Sequence, residues 1–162
     1  MLEIRSAMTE QDLEHVRGLL REYFEWLDRD LSVDIRYQAP EQELAALPGP
    51  YTPPAGVLLL ALLDGLPAGC AAIKPQEAGR CTLKRMYVRP DCRGRGVAKA
   101  LGLELIRVAR ESGYRCIQLG TMDVMEAAQV LYAGLGFKIV QPYQAVPSEI
   151  GKHTVFMELE LG

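Results

Sequence analysis

The chain has 162 residues, 49% of them hydrophobic and 24% charged, with a formal net charge of −3 at pH 7. This composition is typical of a soluble globular domain, and the acidic balance argues against a broad basic surface that would bind nucleic acid. The longest apolar run, GVLLLALLDG at 56–65, is far shorter than the ~20 residues of a membrane-spanning helix, so no membrane is expected as a partner either.

The first elements in chain order are a strand and two helices. Residues 2–7 (LEIRSA) alternate between apolar and polar side chains, which predicts a strand. Thr9 is predicted to cap a helix, because apolar residues recur at helical spacing from there through position 27. A second helix is predicted over 41–49 (EQELAALPG), where its proline and glycine end it.

Three strands are predicted next. The apolar run at 56–65 ends in Asp-Gly, which is a strong signal for a tight hairpin turn. Residues 66–75 (LPAGCAAIKP) would be its antiparallel partner, and 79–90 (GRCTLKRMYVRP) would form the third strand.

A helix from about Arg95 to Ser112, stopped by Gly113, is predicted to lead into a strand at 114–121 (YRCIQLGT). A right-handed crossover of this kind would place that strand parallel to the preceding one. The two elements therefore predict a parallel pair within an otherwise antiparallel sheet.

The last elements are a helix and two strands. The helix is predicted to begin at Asp123 and to end near Gly134 or Gly136. Strands are predicted at 137–143 (FKIVQPY) and 153–161 (HTVFMELEL). The predicted order is β-α-α-β-β-β-α-β-α-β-β, which indicates a mixed, mostly antiparallel sheet flanked by helices in an α/β or α+β domain.

Charge and glycine are concentrated at one helix start, in RPDCRGRGVAKAL at 89–101. The first amides of a helix lack partners and carry partial positive charge, and glycines let a phosphate approach the backbone closely. Arg93, Arg95 and Lys99 would add charge-assisted contacts. The segment is predicted to bind a phosphate or pyrophosphate, the alternative being a plain turn with solvated arginines. A Walker loop is excluded because no GxxxxGK[ST] sequence occurs.

Three motifs give this chain its resemblance to a known family. RGRGVA at 93–98 matches the Q/R-x-x-G-x-G/A signature of the GNAT superfamily of N-acetyltransferases. LKRMYVRPDC at 83–92 resembles that family's fourth strand, and AAQVLYAGLGF at 127–137 resembles its later helix motif. The resemblance implies one acyl-CoA N-acyltransferase domain over 1–162, which uses acetyl-CoA as a co-substrate and transfers the acetyl group directly to a primary amine of a small molecule or peptide.

The resemblance also implies site residues. The exposed backbone of the strand KRMYV would pair with pantetheine, and an N–H near Met86 would stabilise the oxyanion. Tyr132 would protonate the departing thiolate, the alternative being an ordinary core tyrosine. The implied cofactor contacts are Met86, Tyr87, Val88, Arg93, Gly94, Arg95, Gly96, Val97, Ala98 and Lys99.

Two departures from the family pattern leave the general base open. Thr82 stands where many members have a glutamate, and Met125 stands where many have an asparagine. These departures motivate an alternative function, a non-catalytic acyl-CoA-binding sensor or regulatory module. The weak candidates for the base are Glu22, Glu25, Glu77 and Asp123, each of which could equally be a solvated surface carboxylate.

The acceptor site implied by the family lies near the first two helices. Glu22, Tyr23, Phe24, Trp26 and Tyr37 fall there among many carboxylates, which hints at a cationic amine, although the aromatics could simply pack on the sheet. The histidines are isolated and the four cysteines show no metal spacing, so no metal and a reducing cytoplasm are expected. A homodimer through the last strands is compatible with the resemblance but not required.

Overall fold

The computed structural model describes residues 1–32, 39–144 and 151–162. Its helices are α1 (Glu10–Leu31), α2 (Pro40–Ala46), α3 (Val97–Glu111) and α4 (Glu126–Gly134). Its strands are β1 (Leu2–Ser6), β2 (Val57–Leu63), β3 (Leu66–Pro75), β4 (Arg80–Val88), β5 (Cys116–Met122), β6 (Lys138–Val140) and β7 (Thr154–Glu160). The predicted order of elements is confirmed.

The strands form one seven-stranded sheet in the order β1-β2-β3-β4-β5-β7-β6. β4 and β5 are parallel, and the other neighbouring pairs are antiparallel. The parallel pair is the one joined through α3, as the crossover rule predicts. The mixed α+β sheet expected from the sequence is therefore confirmed.

Local sequence signals fix several element boundaries. The Thr9 hydroxyl accepts a hydrogen bond from the Asp12 amide at 3.1 Å, which confirms the predicted cap of α1. Asp64 and Gly65 have φ values of +51° and +84°, as a type I′ hairpin requires. The predicted start of α4 at Asp123 is wrong, because the helix begins three residues later. The Asp123 amide instead donates to the His153 carbonyl at 2.7 Å, beyond the last pair of β5 and β7.

Both faces of the central sheet are covered, which explains the uninterrupted apolar run in β2. Leu58, Leu60 and Leu62 belong to the buried cluster that includes residues of α1 and α2. Leu59 and Ala61 belong to the opposite cluster, which includes residues of α3. A strand buried on both faces reads as continuous apolar sequence rather than as alternation.

The longest described helix, α1, has 22 residues and is amphipathic, with charged residues along its outer face. None of the helices in the described ranges is long and apolar enough to cross a membrane.

The contact between β3 and β4 leaves no room for a side chain at Gly69. A Cβ there would lie 2.6 Å from the Tyr87 carbonyl oxygen, which is backbone and cannot rotate away. We expect Gly69→Ala to lower the free energy of unfolding by about 1–3 kcal/mol, measured by urea denaturation. Gly18→Ala is the matched control, since a Cβ at Gly18 meets no described atom within 4 Å. It should raise stability by about 0.5–1 kcal/mol, because alanine is the better helix former. Equal stability of Gly69→Ala and the unchanged protein would contradict the close approach.

Candidate active site

The site begins where two parallel strands separate. Within the described residues, β4 and β5 pair at three positions, from Arg80 with Cys116 to Thr82 with Gln118. Beyond Thr82 the two strands diverge, so the rest of β4 has one neighbour strand instead of two. The gap leaves one edge of the KRMYV segment of β4 without a neighbouring strand, and this is the segment whose exposed backbone the family resemblance implies.

A β-bulge interrupts β4 inside this gap. Cys70 pairs with Tyr87 and Ala72 pairs with Lys84, so Ala71 faces two residues, Arg85 and Met86. Arg85 has a φ of +61°, a left-handed conformation that is uncommon for a residue with a side chain.

The bulged residue is held by an ion pair. The Arg85 guanidinium donates two hydrogen bonds to the Glu43 carboxylate on α2, from Nε at 2.6 Å and from Nη2 at 2.8 Å. It also lies 5.3 Å from the centre of the Phe24 ring on α1. Burial by itself would raise the pKa of Glu43, but the bonds from Arg85 lower it. The bidentate pair fixes the direction of Arg85 more than it adds stability, because two charges must lose water to form it.

The outer edge of β4 presents backbone groups to the gap. The Arg89 amide donates to the Ala68 carbonyl on β3 at 2.9 Å, whereas the Val88 carbonyl accepts from Arg93 Nε at 3.0 Å. Adjacent residues of a strand point their backbone groups in opposite directions, so Val88 faces away from β3. Met86, two residues earlier, shares that edge.

The start of α3 is open at the end of the gap. Gly96 is the N-cap residue with a φ of +79°, and its helix has no side-chain cap within the described part of the chain. Ala100 donates to the Gly96 carbonyl at 3.0 Å, so the amides before it have no carbonyl partner within the helix. A Cβ at Gly94 or Gly96 would meet no described atom within 4 Å. The loop can therefore admit a ligand group against its backbone.

Arg93 makes contacts within the fold that sequence reasoning did not include. Besides its bond to Val88, its guanidinium lies 5.3 Å from the centre of the Trp26 ring on α1. The side chain thus joins the loop to α1 and to the edge of β4, and like Arg95 and Lys99 it is exposed. No local sequence signal distinguishes these three cations, because the difference depends on the position of α1.

A groove of about 570 Å³ runs from the α3 loop to the bulge of β4. It is lined by nine of the ten predicted cofactor residues: Met86, Tyr87, Val88, Arg93, Gly94, Gly96, Val97, Ala98 and Lys99. Arg95 is the predicted residue outside its lining. The opposite wall is formed by Val124 to Ala128 and by Leu131, which sequence reasoning did not assign to the groove.

A second cavity, of about 140 Å³, lies at the inner end of the groove. Tyr23, Met86, Met125 and Ala128 line both spaces, so the two are adjacent at the bulge. Tyr132 lines the inner cavity and is 5% exposed. Burial and the nearby Tyr23 raise the pKa of Tyr132, so its hydroxyl stays protonated and can donate.

The predicted acceptor residues lie in different places in the structure, some lining the groove or the inner cavity and one outside both. Tyr23 faces both spaces, and Trp26 lines the groove and stacks on Tyr23 with ring centres 6.2 Å apart. Glu22 lies outside both, since its carboxylate accepts from the Tyr87 hydroxyl at 3.2 Å and pairs with Arg89 at 3.3 Å. Tyr37 lies outside the described residues.

The general base remains open. The Thr82 hydroxyl donates to the Gln76 side-chain oxygen at 3.4 Å, and Glu77 is exposed in the turn before β4. Asp123 is 3.1 Å from His153 Nδ1, near the end of β5. Across the described lining of the inner cavity, no aspartate or glutamate occurs.

Lys84 is the inner-cavity residue that sequence reasoning missed. Burial, Arg85 and Lys74 together lower its pKa to about 8. It lies two residues after Thr82 and therefore on the same face of β4, so strand alternation could have found it.

The cysteines show no sign of activation. Burial raises the pKa of Cys70, Cys81, Cys92 and Cys116, so none is an activated thiolate. Sγ of Cys116 and carboxylate oxygens of Glu158 and Glu160 lie within 4.8 Å of one another on β5 and β7. These residues are not among those that line either space, and the absence of a metal stays a prediction.

Known proteins are similar to this chain in sequence. The Acetyltransferase (GNAT) family profile matches residues 13–137. An uncharacterized N-acetyltransferase of Schizosaccharomyces pombe is 33% identical over 162 residues, which cover 99% of this chain and 95% of that protein. The N-acetylaspartate synthetase of Xenopus tropicalis is 40% identical over 88 residues, and the match spans 54% of this chain but 32% of that enzyme.

Solved structures agree on the fold. A GNAT-family acetyltransferase of Staphylococcus aureus superposes with a TM-score of 0.80 at 21% identity over 100% of both chains. The PaiA N-acetyltransferase of Thermoplasma acidophilum, solved with coenzyme A, gives 0.76 at 20% identity over 99% of both. The chain belongs to the GNAT family of acyl-CoA-dependent acetyltransferases.

Proposed function

We propose that the protein transfers the acetyl group of acetyl-CoA to a primary amine of a small molecule or peptide, by direct transfer in a ternary complex. The observation that carries this proposal is the gap between β4 and β5. Beside it lie a groove that ends at an open helix start and a small inner cavity next to a bulged strand. We propose this activity for one domain over residues 1–162.

The groove suits coenzyme A in the chemistry of its lining. The pyrophosphate would lie on the amides between Gly94 and Lys99, where helix N–H groups and positive charge favour an anion. Pantetheine would run along the free backbone edge at Val88 and Met86, as an added strand does. The PaiA protein was solved with coenzyme A, and a Salmonella typhimurium protein with a TM-score of 0.68 was solved with acetyl-CoA.

The bulge would serve the chemical step. The amine nitrogen attacks the thioester carbonyl, a C–N bond forms, and negative charge develops on the carbonyl oxygen. An amide of the bulge near Met86 would stabilise that charge. The C–S bond then breaks, and the departing thiolate takes a proton from the Tyr132 hydroxyl. The proton that the amine nitrogen loses then restores the tyrosine hydroxyl. The products are an N-acetylated amine and coenzyme A.

The state of the cysteines supports direct transfer. A covalent acetyl-enzyme would need an activated thiolate, and burial raises the pKa of all four thiols instead. Free thiols also fit a reducing compartment such as the cytoplasm. Because five vertebrate relatives are named N-acetylaspartate synthetases, aspartate is the first acceptor that we would assay.

Changing the open helix start tests cofactor binding. Gly96→Asp would place a carboxylate against the pyrophosphate, so we expect the Kd of acetyl-CoA to rise ~100-fold, or about 2.7 kcal/mol, by calorimetry. Gly113→Asp is the matched control, because Gly113 also has a positive φ, of +87°, at the opposite end of α3. A folded Gly96→Asp protein that binds acetyl-CoA as tightly as the control would remove the loop from the cofactor site.

Removing one hydroxyl tests the chemical step. We expect Tyr132→Phe to lower kcat about 100-fold, measured by amine-dependent release of coenzyme A, with an unchanged Kd for acetyl-CoA. Tyr114→Phe is the control, since that hydroxyl donates to the Ala55 carbonyl at 2.5 Å and lines neither space. Full turnover in Tyr132→Phe would exclude Tyr132 as the proton donor to the thiolate. If the unchanged protein binds acetyl-CoA tightly but releases no coenzyme A with any amine tested, the result would favour the alternative of a non-catalytic acyl-CoA-binding sensor.

A further inference from the structure

The bulge of β4 depends on a backbone conformation that a strand does not favour. Arg85 has a φ of +61°, where the Cβ of an L-residue crowds its own backbone. Such conformations persist where surrounding contacts hold them, and they are common at functional sites. The contacts of Arg85 are therefore the features that we expect to restrain the bulge.

Two helices hold the guanidinium of Arg85. Glu43 of α2 accepts its two bonds, at 2.6 and 2.8 Å, and the Phe24 ring of α1 lies 5.3 Å from it. The side chain of Arg85 is 6% exposed and that of Glu43 is 16% exposed, so water competes little for these bonds. A bidentate pair also fixes the relative orientation of both groups. The direction of the Arg85 side chain is thus set by α1 and α2.

Glu43 is itself anchored. Its amide donates to the Ala39 carbonyl at 3.1 Å in the first turn of α2, and its carboxylate accepts a bond from the buried Tyr51 hydroxyl. The next residue, Leu44, is buried, and its carbonyl accepts from Arg17 Nε of α1 at 2.9 Å. The carboxylate is therefore a fixed partner for Arg85 rather than a flexible surface group.

The carbonyl of Arg85 is restrained from the opposite side. A bulge removes backbone groups from the regular ladder, and a buried carbonyl needs another donor. The thiol of Cys70 on β3, which is fully buried, donates to the Arg85 carbonyl at 3.4 Å. The side chain and the backbone of Arg85 are thus both held, one by α2 and the other by β3.

Glu43 is too far back to touch the reacting groups. It is not among the described residues that line the groove or the inner cavity, whereas Arg85 lines the cavity and Met86 lines both. A carboxylate in this position acts on the site through Arg85 and the backbone that follows it. This arrangement is that of a residue that supports a site without contacting the substrate.

We propose that Glu43 is a positioning residue for acetyl transfer: its bonds to Arg85 hold the bulge of β4 so that the amide near Met86 can stabilise the oxyanion. This inference rests on the proposed acetyltransferase function, because the oxyanion forms only if the transfer takes place. Such stabilisation requires donors that are oriented before the reaction, and a small displacement weakens it. Loss of Glu43 therefore affects the chemical step more than cofactor binding.

Neutralising Glu43 tests this role. Glu43→Gln keeps the size of the side chain, but its amide offers one acceptor oxygen where the carboxylate offers two. We expect kcat for amine-dependent release of coenzyme A to fall about tenfold, with an unchanged Kd for acetyl-CoA by calorimetry. A Glu43→Gln protein with the kcat of the unchanged protein overturns the proposal.

Asp12→Asn is the matched control for a general loss of stability. Arg5 of β1 donates to Asp12 of α1 from Nε at 3.1 Å and from Nη2 at 2.8 Å, so this pair also joins a strand to a helix through a buried carboxylate. Neither residue is among the described lining of either space. Both variants should unfold at a lower temperature, but Asp12→Asn should keep its kcat where both are folded. Equal losses of kcat in the two variants overturn the proposal.

Two substitutions of Arg85 separate the backbone from the side chain. Glycine adopts a positive φ without strain, whereas alanine does not. We expect the kcat of Arg85→Gly to exceed that of Arg85→Ala about tenfold, because the left-handed conformation is the feature that the ion pair maintains. Equal kcat values in these two variants would mean that this conformation does not support turnover, which overturns the proposal.

A double variant separates positioning from general-base catalysis by Glu43. If Glu43 acts through Arg85, Glu43→Gln should have no further effect on kcat in the Arg85→Gly protein. A general base would be needed equally in both backgrounds, so its removal would lower kcat by the same factor in each. The second result overturns the proposal.

Amide hydrogen exchange reports on the bulge without turnover. We expect the amides of β4 around Met86 to exchange faster in Glu43→Gln and in Arg85→Ala than in the unchanged protein or in Arg85→Gly. Exchange at the unchanged rate in Glu43→Gln overturns the proposal, even if kcat falls. An unchanged protein that acetylates no amine contradicts the transferase function instead, and the expected exchange pattern would then still support the restraint by Glu43.

Discussion

Arg85 adopts a left-handed backbone conformation in the middle of a strand, and both parts of the site depend on it. The conformation costs about 1–2 kcal/mol for a residue with a side chain. The paired bonds to Glu43 and the contact with Phe24 hold it in place. Its effect is geometric: two residues of β4 face one of β3, so the strand changes direction where it loses contact with β5.

That change of direction creates two surfaces with different chemistry from one strand. On the outer side, the edge at Met86 and Val88 presents backbone groups to the groove, and the strand continues into the glycine loop at Gly94 and Gly96. On the inner side, the same bulge brings Lys84 and Arg85 to the face covered by α1 and α2. The shared cavity wall at Met86 is therefore the place where a thioester in the groove would meet an amine from the cavity.

Rules that act over a few residues predicted most of the fold. The Thr9 cap, the Asp-Gly hairpin and the glycine loop at 93–98 need only their neighbours in sequence, and the structure has them where expected. The bulge could not be predicted in this way, because it is set by the register with β3 and by a partner 42 residues away. For the same reason the contacts of Arg93 were missed, since they depend on how α1 packs. Lys84 differs, because the alternation of side chains along β4 could have placed it on the face of Thr82.

Positive charge serves two purposes in a protein whose net charge is −3, and burial separates them. Arg95 and Lys99 are exposed beside the open helix start, where water screens them and the helix amides can make the close contacts to an anion. Arg85 is buried, and the two bonds to Glu43, rather than water, compensate its charge. The cations beside the groove therefore remain accessible to a ligand, whereas the charge of Arg85 is used to hold the backbone of the bulge in place.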